Sequence, residues 1–205
     1  MHEEIAVSNQ AADWNESDEV LMVRVAGGDT GAYETLYHRY KNRILTFVHR
    51  YVGDREWAED LTQEVFLKVY RAPRAFDPRN RFLTWLFAVA RNLTIDFLRR
   101  KRSVTPLSAT HDDEEYSIEP EVEASARPME QTLLSEMDGR LQQVLLELSP
   151  KLREVFILCA MQGLSYEEVA GIVKCPAKTV SSRLSRARER FMKAFEPYLA
   201  GKRRG

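Results

Sequence analysis

The sequence predicts an all-α protein built as two small helical domains joined by a flexible acidic linker. Three observations carry that expectation. Apolar residues recur at intervals of three and four through most of the chain. No window alternates apolar and polar residues between turn pairs, so strand signals are absent. Residues 104–129 have no helical period, are acidic, and hold Pro106, Pro120 and Pro128, which is the composition of a tether.

Residues 1–17 are polar and acidic without periodicity and read as a loose tail. From Asp18 the pattern turns helical, and a first short helix ends at Gly27-Gly28. Asp29 caps a second helix, in which Leu36, Tyr40, Ile44, Phe47, Val48 and Tyr51 keep helical spacing up to Gly53. Asp54 caps a third, from Arg55 to Arg71. There Trp57, Ala58, Leu61, Val65 and Val69 fall on one side, toward a core. Phe66, Leu67 and Tyr70 lie elsewhere, mixed with Glu59, Asp60 and Gln63, and so much apolar surface calls for a partner. Packing on another helix of the same chain would account for it too.

Ala72 to Arg81 contains two prolines and several turn formers, which make it a cationic loop with Phe76 at its middle. An aromatic ring among arginines can hold a base pulled from the stack; a plain connector with Phe76 plugging the core fits as well. The helix from Phe82 to Arg102 turns Leu86, Val89, Ala90, Leu93 and Phe97 inward. From its opposite side project Arg91, Asn92, Ile95, Arg99 and Arg102, a row of cations and an amide available to a nucleic-acid strand.

Helicity resumes near Glu130, with Leu133, Leu134, Met137, Leu141, Val144, Leu145 and Leu148 as its apolar positions. Ser149-Pro150 begins another helix, with Leu152, Val155, Phe156, Cys159 and Ala160 on one side and Gly163 at its end. Ser165 and Glu168 have the form of a capping box, and Val169, Ala170, Ile172 and Val173 give the next short helix its apolar side. Lys174-Cys175-Pro176 stops it. From Ala177 onward Val180, Leu184, Ala187 and Phe191 share one face; Lys178, Ser182, Ser185, Arg186 and Glu189 point the other way, with Thr179, Arg183 and Arg190 beside them. Two short helices with a tight turn, the second basic outside and apolar inside, form a helix-turn-helix that sets Arg, Lys, Ser and Thr against phosphates and base edges. A helical hairpin whose cationic side is merely solvated has the same spacing.

A net charge of −1 predicts no overall attraction to nucleic acid, but the charge is segregated. Arg91 to Arg102 holds five cations against Asp96, and Lys178 to Lys193 six against Glu189. Ser103 to Asp138 holds ten acidic residues against Arg127 alone. Two basic patches separated by an acidic strip suit a protein that touches DNA twice. The N-terminus lacks the cationic start and apolar run of an export signal, and no apolar run is long enough to insert in a membrane, so a cytoplasmic protein is expected. Cys159 and Cys175 read as reduced structural thiols, the four His residues show no metal-ligand spacing, and no cofactor is implied. An enzyme acting on nucleic acid would need clustered carboxylates; Glu59, Asp60 and Glu64 come closest, but Glu59 projects away from Glu64.

The wording of these stretches adds to their spacing. Gly163-Leu-Ser-Tyr-Glu-Glu-Val-Ala, then Cys175-Pro-Ala-Lys-Thr-Val-Ser-Ser-Arg-Leu-Ser-Arg-Ala-Arg, resembles region 4 of bacterial sigma factors of the extracytoplasmic-function group, in the sigma-70 family. Ala58-Glu-Asp-Leu-Thr-Gln-Glu-Val-Phe66 resembles the part of sigma region 2 that grips the clamp helices of RNA polymerase. Thr84-Trp-Leu, Ala90-Arg-Asn and Asp96-Phe-Leu-Arg-Arg resemble the part that reads the −10 promoter element. The two resemblances stand in the family's order and cover roughly Glu19–Arg102 and Leu133–Leu199.

What the resemblance implies is a non-enzymatic protein that binds core RNA polymerase, directs it to promoters and helps open the duplex. Residues 18–103 would be region 2, 104–129 a linker threading through the polymerase, and 130–205 region 4. Asp60, Gln63 and Glu64, with Phe66 and Leu67, would meet the polymerase. Phe76, Asn80 and Asn92 would line a pocket for a flipped base of the −10 single strand, with Arg91 and Arg99 beside it. Lys178, Thr179, Ser182, Arg183 and Arg186 would hold the −35 duplex. Members of the group are commonly held inactive by an anti-sigma factor. The competing expectation is a stand-alone helix-turn-helix regulator whose N-terminal helices dimerise or sense a ligand.

Overall fold

In a computed structural model, residues 16–104 and 129–201 are described, and among them there are helices and no strands. The acidic tether, apart from its two ends, and most of the N-terminal tail lie outside the described residues, as do the side chains of Arg102, Leu133 and Leu134.

Local chemistry sets the helix boundaries. The first helix, α1 (Asp18–Ala26), starts where Ser17 Oγ accepts from the Val20 N–H. Asp29 Oδ1 accepts from the N–H groups of Gly31 and Ala32 and opens α2 (Thr30–Val52). Asp54 Oδ1 accepts from Trp57 N–H and opens α3 (Arg55–Arg71). Each such cap contributes about 1 kcal/mol by satisfying a donor the helix leaves without a partner. The connector after α3 makes one 3₁₀ turn at Pro73–Ala75, and α4 (Phe82–Val104) follows. Its first N–H, from Phe82, donates to Glu19 Oε1 at 2.9 Å, so α1 caps α4 across the fold.

The second half comprises α5 (Met129–Glu147), α6 (Pro150–Phe156), which runs on as a π-helical turn at Ile157–Met161, then α7 (Tyr166–Val173) and α8 (Ala177–Gly201). Ser165 and Glu168 form the reciprocal capping box at the start of α7, with 3.2 and 2.8 Å hydrogen bonds. The helix ends at Lys174, which takes the left-handed conformation at φ 55°. Pro176 O then accepts from Thr179 and Val180 as α8 begins.

The first half packs α3 and α4 on α2, with Phe47, Val65, Phe66, Leu86 and Phe87 at its centre. The second half packs α8 on α6 and α7 through Val155, Val169, Ile172, Val180, Leu184 and Ala187. Two helical units were expected, and both are there. The sequence did not signal that they close on each other: α7 lies on α4, α5 on α2, and one continuous apolar cluster runs through both units. Gly53 lies at this seam with φ +86°, where a Cβ would stand 2.8 Å from Leu146 Cδ1.

Candidate nucleic-acid and polymerase interfaces

The helix-turn-helix takes the arrangement its spacing predicted. Val180, Leu184 and Ala187 are buried beneath α8, and the opposite face leaves Lys178, Ser182, Ser185, Arg186 and Glu189 exposed. Thr179 and Arg183 flank that face half-buried. Arg183 Nη1 comes to 3.8 Å of Cys175 Sγ in the turn, and Ser182 Oγ donates to Thr179 O at 3.0 Å. Of the five residues placed there by sequence, Lys178, Ser182 and Arg186 are fully presented to a ligand. Burial would raise the Glu168 carboxyl at the head of α7, but donation from Ser165 and the nearby Arg81 guanidinium outweigh it and hold that carboxyl low.

The loop ahead of α4 corrects one expectation. Phe76 is 5% exposed and packs against Phe82 and Trp85 with ring centroids 5.7 and 5.4 Å away. Its ring plugs the core and is not available to stack on a base. Asn80 is exposed, and its N–H donates to Asp77 O. Asp77 clasps Arg79 through the side chain and the backbone N–H, and the guanidinium brings its carboxyl down to about 2.

On α4, Asn92 and Arg99 are exposed, as expected of a strand-binding face. Arg91 departs from that expectation: it is 18% exposed, and its Nε donates to Glu154 Oε2 of α6 at 2.8 Å. Glu154, only 3% exposed, is pushed up by burial and pulled back by Arg91. Beside it Arg153, 1% exposed, donates to the carbonyls of Leu145, Leu146 and Leu148 at the end of α5 and to Tyr51 O at 2.8 Å in the other half. Burial lowers Arg153 to about 10, so it stays charged at neutral pH. Neither Arg153 nor Glu154 was singled out in the sequence. Each sits in an apolar helix at a position where a charge normally faces water, and nothing local marks it as buried.

On α3 the structure divides the expected polymerase-facing residues. Asp60, Gln63, Glu64 and Leu67 are exposed along one side, and Tyr70 extends that surface. Phe66 is 2% exposed, with Tyr37 edge-on at 4.9 Å and Tyr33 Oη donating to its carbonyl. It is a core residue, so its place in a docking surface is withdrawn.

Among the described residues no helix is long and apolar enough to cross a membrane, and no group of three or more His, Cys, Asp or Glu is placed to hold a metal ion. Cys159 is half-buried, and burial pushes its thiol up to about 11.

Comparison with known proteins fits both halves. Residues 36–104 match the family model of Sigma-70 region 2, and residues 138–191 that of Sigma-70 region 4. The RNA polymerase sigma-H factor of Pseudomonas aeruginosa is 35% identical over 90% of this chain and 96% of its own length. The ECF RNA polymerase sigma-E factor of Escherichia coli strain K12 is 33% identical over 89% of this chain and 96% of its own. Among solved structures, CnrH in complex with the cytosolic domain of CnrY shares the fold at TM-score 0.67, with 22% identity over 89% of this chain and 99% of that one. The sigma factor RpoE in complex with the anti-sigma factor NepR from Bartonella quintana has TM-score 0.62 and 25% identity, covering 80% of this chain and 96% of that one. Two matched regions in sequence order, with relatives aligned almost end to end, leave no room for a stand-alone regulator, and the chain belongs to the sigma-70 family as an extracytoplasmic-function RNA polymerase sigma factor.

Proposed function

We propose that this sigma factor divides its work, docking on core RNA polymerase and directing it to promoters, among three surfaces. Residues 18–103 act as region 2, 130–205 as region 4, and 104–129 as the tether between them, behind the tail 1–17. The exposed side of α3, with Asp60, Gln63, Glu64 and Leu67, meets the polymerase; its mixture of carboxylates, amide and apolar surface suits a protein partner. The outer face of α8, with Lys178, Thr179, Ser182, Arg183 and Arg186, enters the major groove of the −35 duplex. Asn80, Asn92, Arg91 and Arg99 hold the opened −10 strand. Pulling a base from the stack costs a few kcal/mol, which contacts to the freed strand must offset. An anti-sigma partner is proposed as well, by likeness to the Bartonella sigma factor solved with one.

The observation that most supports this reading is the face of α8: three apolar residues below, an exposed Lys, Ser and Arg above, directly after a capped helix and a left-handed turn. Run-off transcription with purified core polymerase and a promoter library tests it. Asn92→Ala is expected to impair −10 discrimination and leave polymerase pull-down intact. Arg186→Ala is expected to weaken duplex binding and reduce its salt slope by about 1. If Asn92→Ala lowers both activities equally, or Arg186→Ala leaves the slope unchanged, that residue loses its assigned role.

A further inference from the structure

A pocket of about 180 Å³ lies where α4 meets the start of α6. Tyr51, Ile95, Leu98 and Pro150 give it an apolar wall. Its charged lining holds four cations, Arg91, Arg99, Lys151 and Arg153, against one carboxylate, Glu154. A protein cavity of about 150 Å³ with apolar walls takes in benzene, so this pocket has room for one ring and a small polar group besides.

The lining carries more positive charge than it neutralises. Glu154 Oε2 accepts from Arg91 Nε at 2.8 Å, which balances one cation. Arg153 has its hydrogen bonds met by the carbonyls of Leu145, Leu146, Leu148 and Tyr51, and no carboxylate stands among those partners. Burial brings it down only to about 10, so its charge persists at neutral pH. Arg99 and Lys151 are exposed and add two charges on the solvent side. In a chain of net charge −1, such a local excess draws an anion, and draws it more strongly where the walls exclude water. The apolar wall gains only from an apolar body that covers it. A bare inorganic anion leaves that wall wet, and a neutral ring leaves the charge unanswered. The side chains of Ile95, Leu98 and Pro150 have no hydrogen-bonding group to meet the polar edge of a nucleotide base.

The geometry points to this pocket as the binding site of a small organic monocarboxylate whose apolar body is about the size of a benzene ring. The body lies on Tyr51, Ile95, Leu98 and Pro150, and the carboxylate is set toward Lys151 and Arg99. Tyr51, Ile95 and Leu98 belong to the first unit and Pro150 and Lys151 to the second. The complete site therefore needs both walls, and a bound ligand stabilises their contact by mass action. The site shares Arg91 and Arg99 with the surface assigned to the −10 strand, but recognition of the carboxylate does not depend on that assignment.

Titration calorimetry of the full chain with sodium benzoate tests the site. A dissociation constant of about 0.1–1 mM is expected for a ligand of about nine non-hydrogen atoms. Acetate has the charge without the ring, and benzyl alcohol the ring without the charge; each is expected to bind at least about tenfold more weakly. Ile95→Trp fills the pocket and should abolish benzoate binding. Lys151→Glu reverses a charge at an exposed position, where folding is little affected, and should weaken binding by about tenfold. Saturating benzoate is expected to raise the thermal midpoint of the wild-type chain by about 2 °C or more relative to acetate at equal ionic strength, and that of neither variant. Benzoate bound no more tightly than acetate overturns the site, and so does benzoate bound by either variant as tightly as by the wild type. Benzyl alcohol bound as tightly as benzoate overturns the carboxylate as the group recognised. Should Ile95→Trp fail to fold, Lys151→Glu decides.

Discussion

An aromatic ring in a cationic loop can serve a base or a core, and burial separates the two uses. Phe76 lies under Phe82 and Trp85, so Phe76→Ala is expected to lower stability to urea by about 3–5 kcal/mol, whereas Asn80→Ala, at an exposed position of the same loop, should leave the urea midpoint nearly unchanged. An equal, small effect of both would return Phe76 to the surface. Arg153 is the opposite case, a cation held inside by four carbonyl acceptors. Arg153→Lys keeps the charge but loses the planar fork that reaches several acceptors at once, and it is expected to cost about 2 kcal/mol or more.

At the scale of elements, the recognition unit depends on its turn. Ser165→Ala removes the acceptor that opens α7 and is expected to cost about 1 kcal/mol. Lys174→Gly relieves a left-handed residue and is expected to raise the thermal midpoint, because that conformation costs a residue with a Cβ about 1–2 kcal/mol. A lower midpoint for Lys174→Gly would mean that its side chain contributes more than its backbone loses. These boundaries were legible in the sequence because caps and turns are written by residues within a few positions of one another: Asp29, Asp54, Ser165 and Gly163 each mark a terminus that the structure shows. The faces of α3 were legible only in part. Periodicity shows that Phe66 lies off the main apolar stripe, yet whether that second side meets solvent or Tyr37 depends on a helix distant in sequence. On α4, Arg91 was expected on a face open to a nucleic-acid strand, and the structure instead pairs it with a buried carboxylate. Its partner Glu154 lay beyond reach because the pairing depends on how one unit meets the other.

The whole molecule has one shared apolar cluster, and donors of the second unit reach the carbonyls at the end of α2 in the first. With the units closed, urea unfolding is expected to follow a single transition. Gln142→Ala removes the donor to His49 O and Arg50 O without touching the core of either unit, and it should split that transition in two as the halves lose their mutual support. A single transition in the variant, at a lower midpoint, would show that the apolar cluster alone couples them. The charge arrangement read from sequence belongs to this scale too: in a nearly neutral chain, Arg81 and Arg91 of the first unit pair with Glu168 and Glu154 of the second.

Gly53 carries a consequence for how such a chain can diverge. One absent methyl group serves both the turn that ends α2 and the close approach of Leu146 from the other unit. A looser seam between the units cannot begin at this glycine without also damaging the turn. Adjustment has to come from the opposite wall: trimming Leu146 loosens the contact and leaves the bend intact.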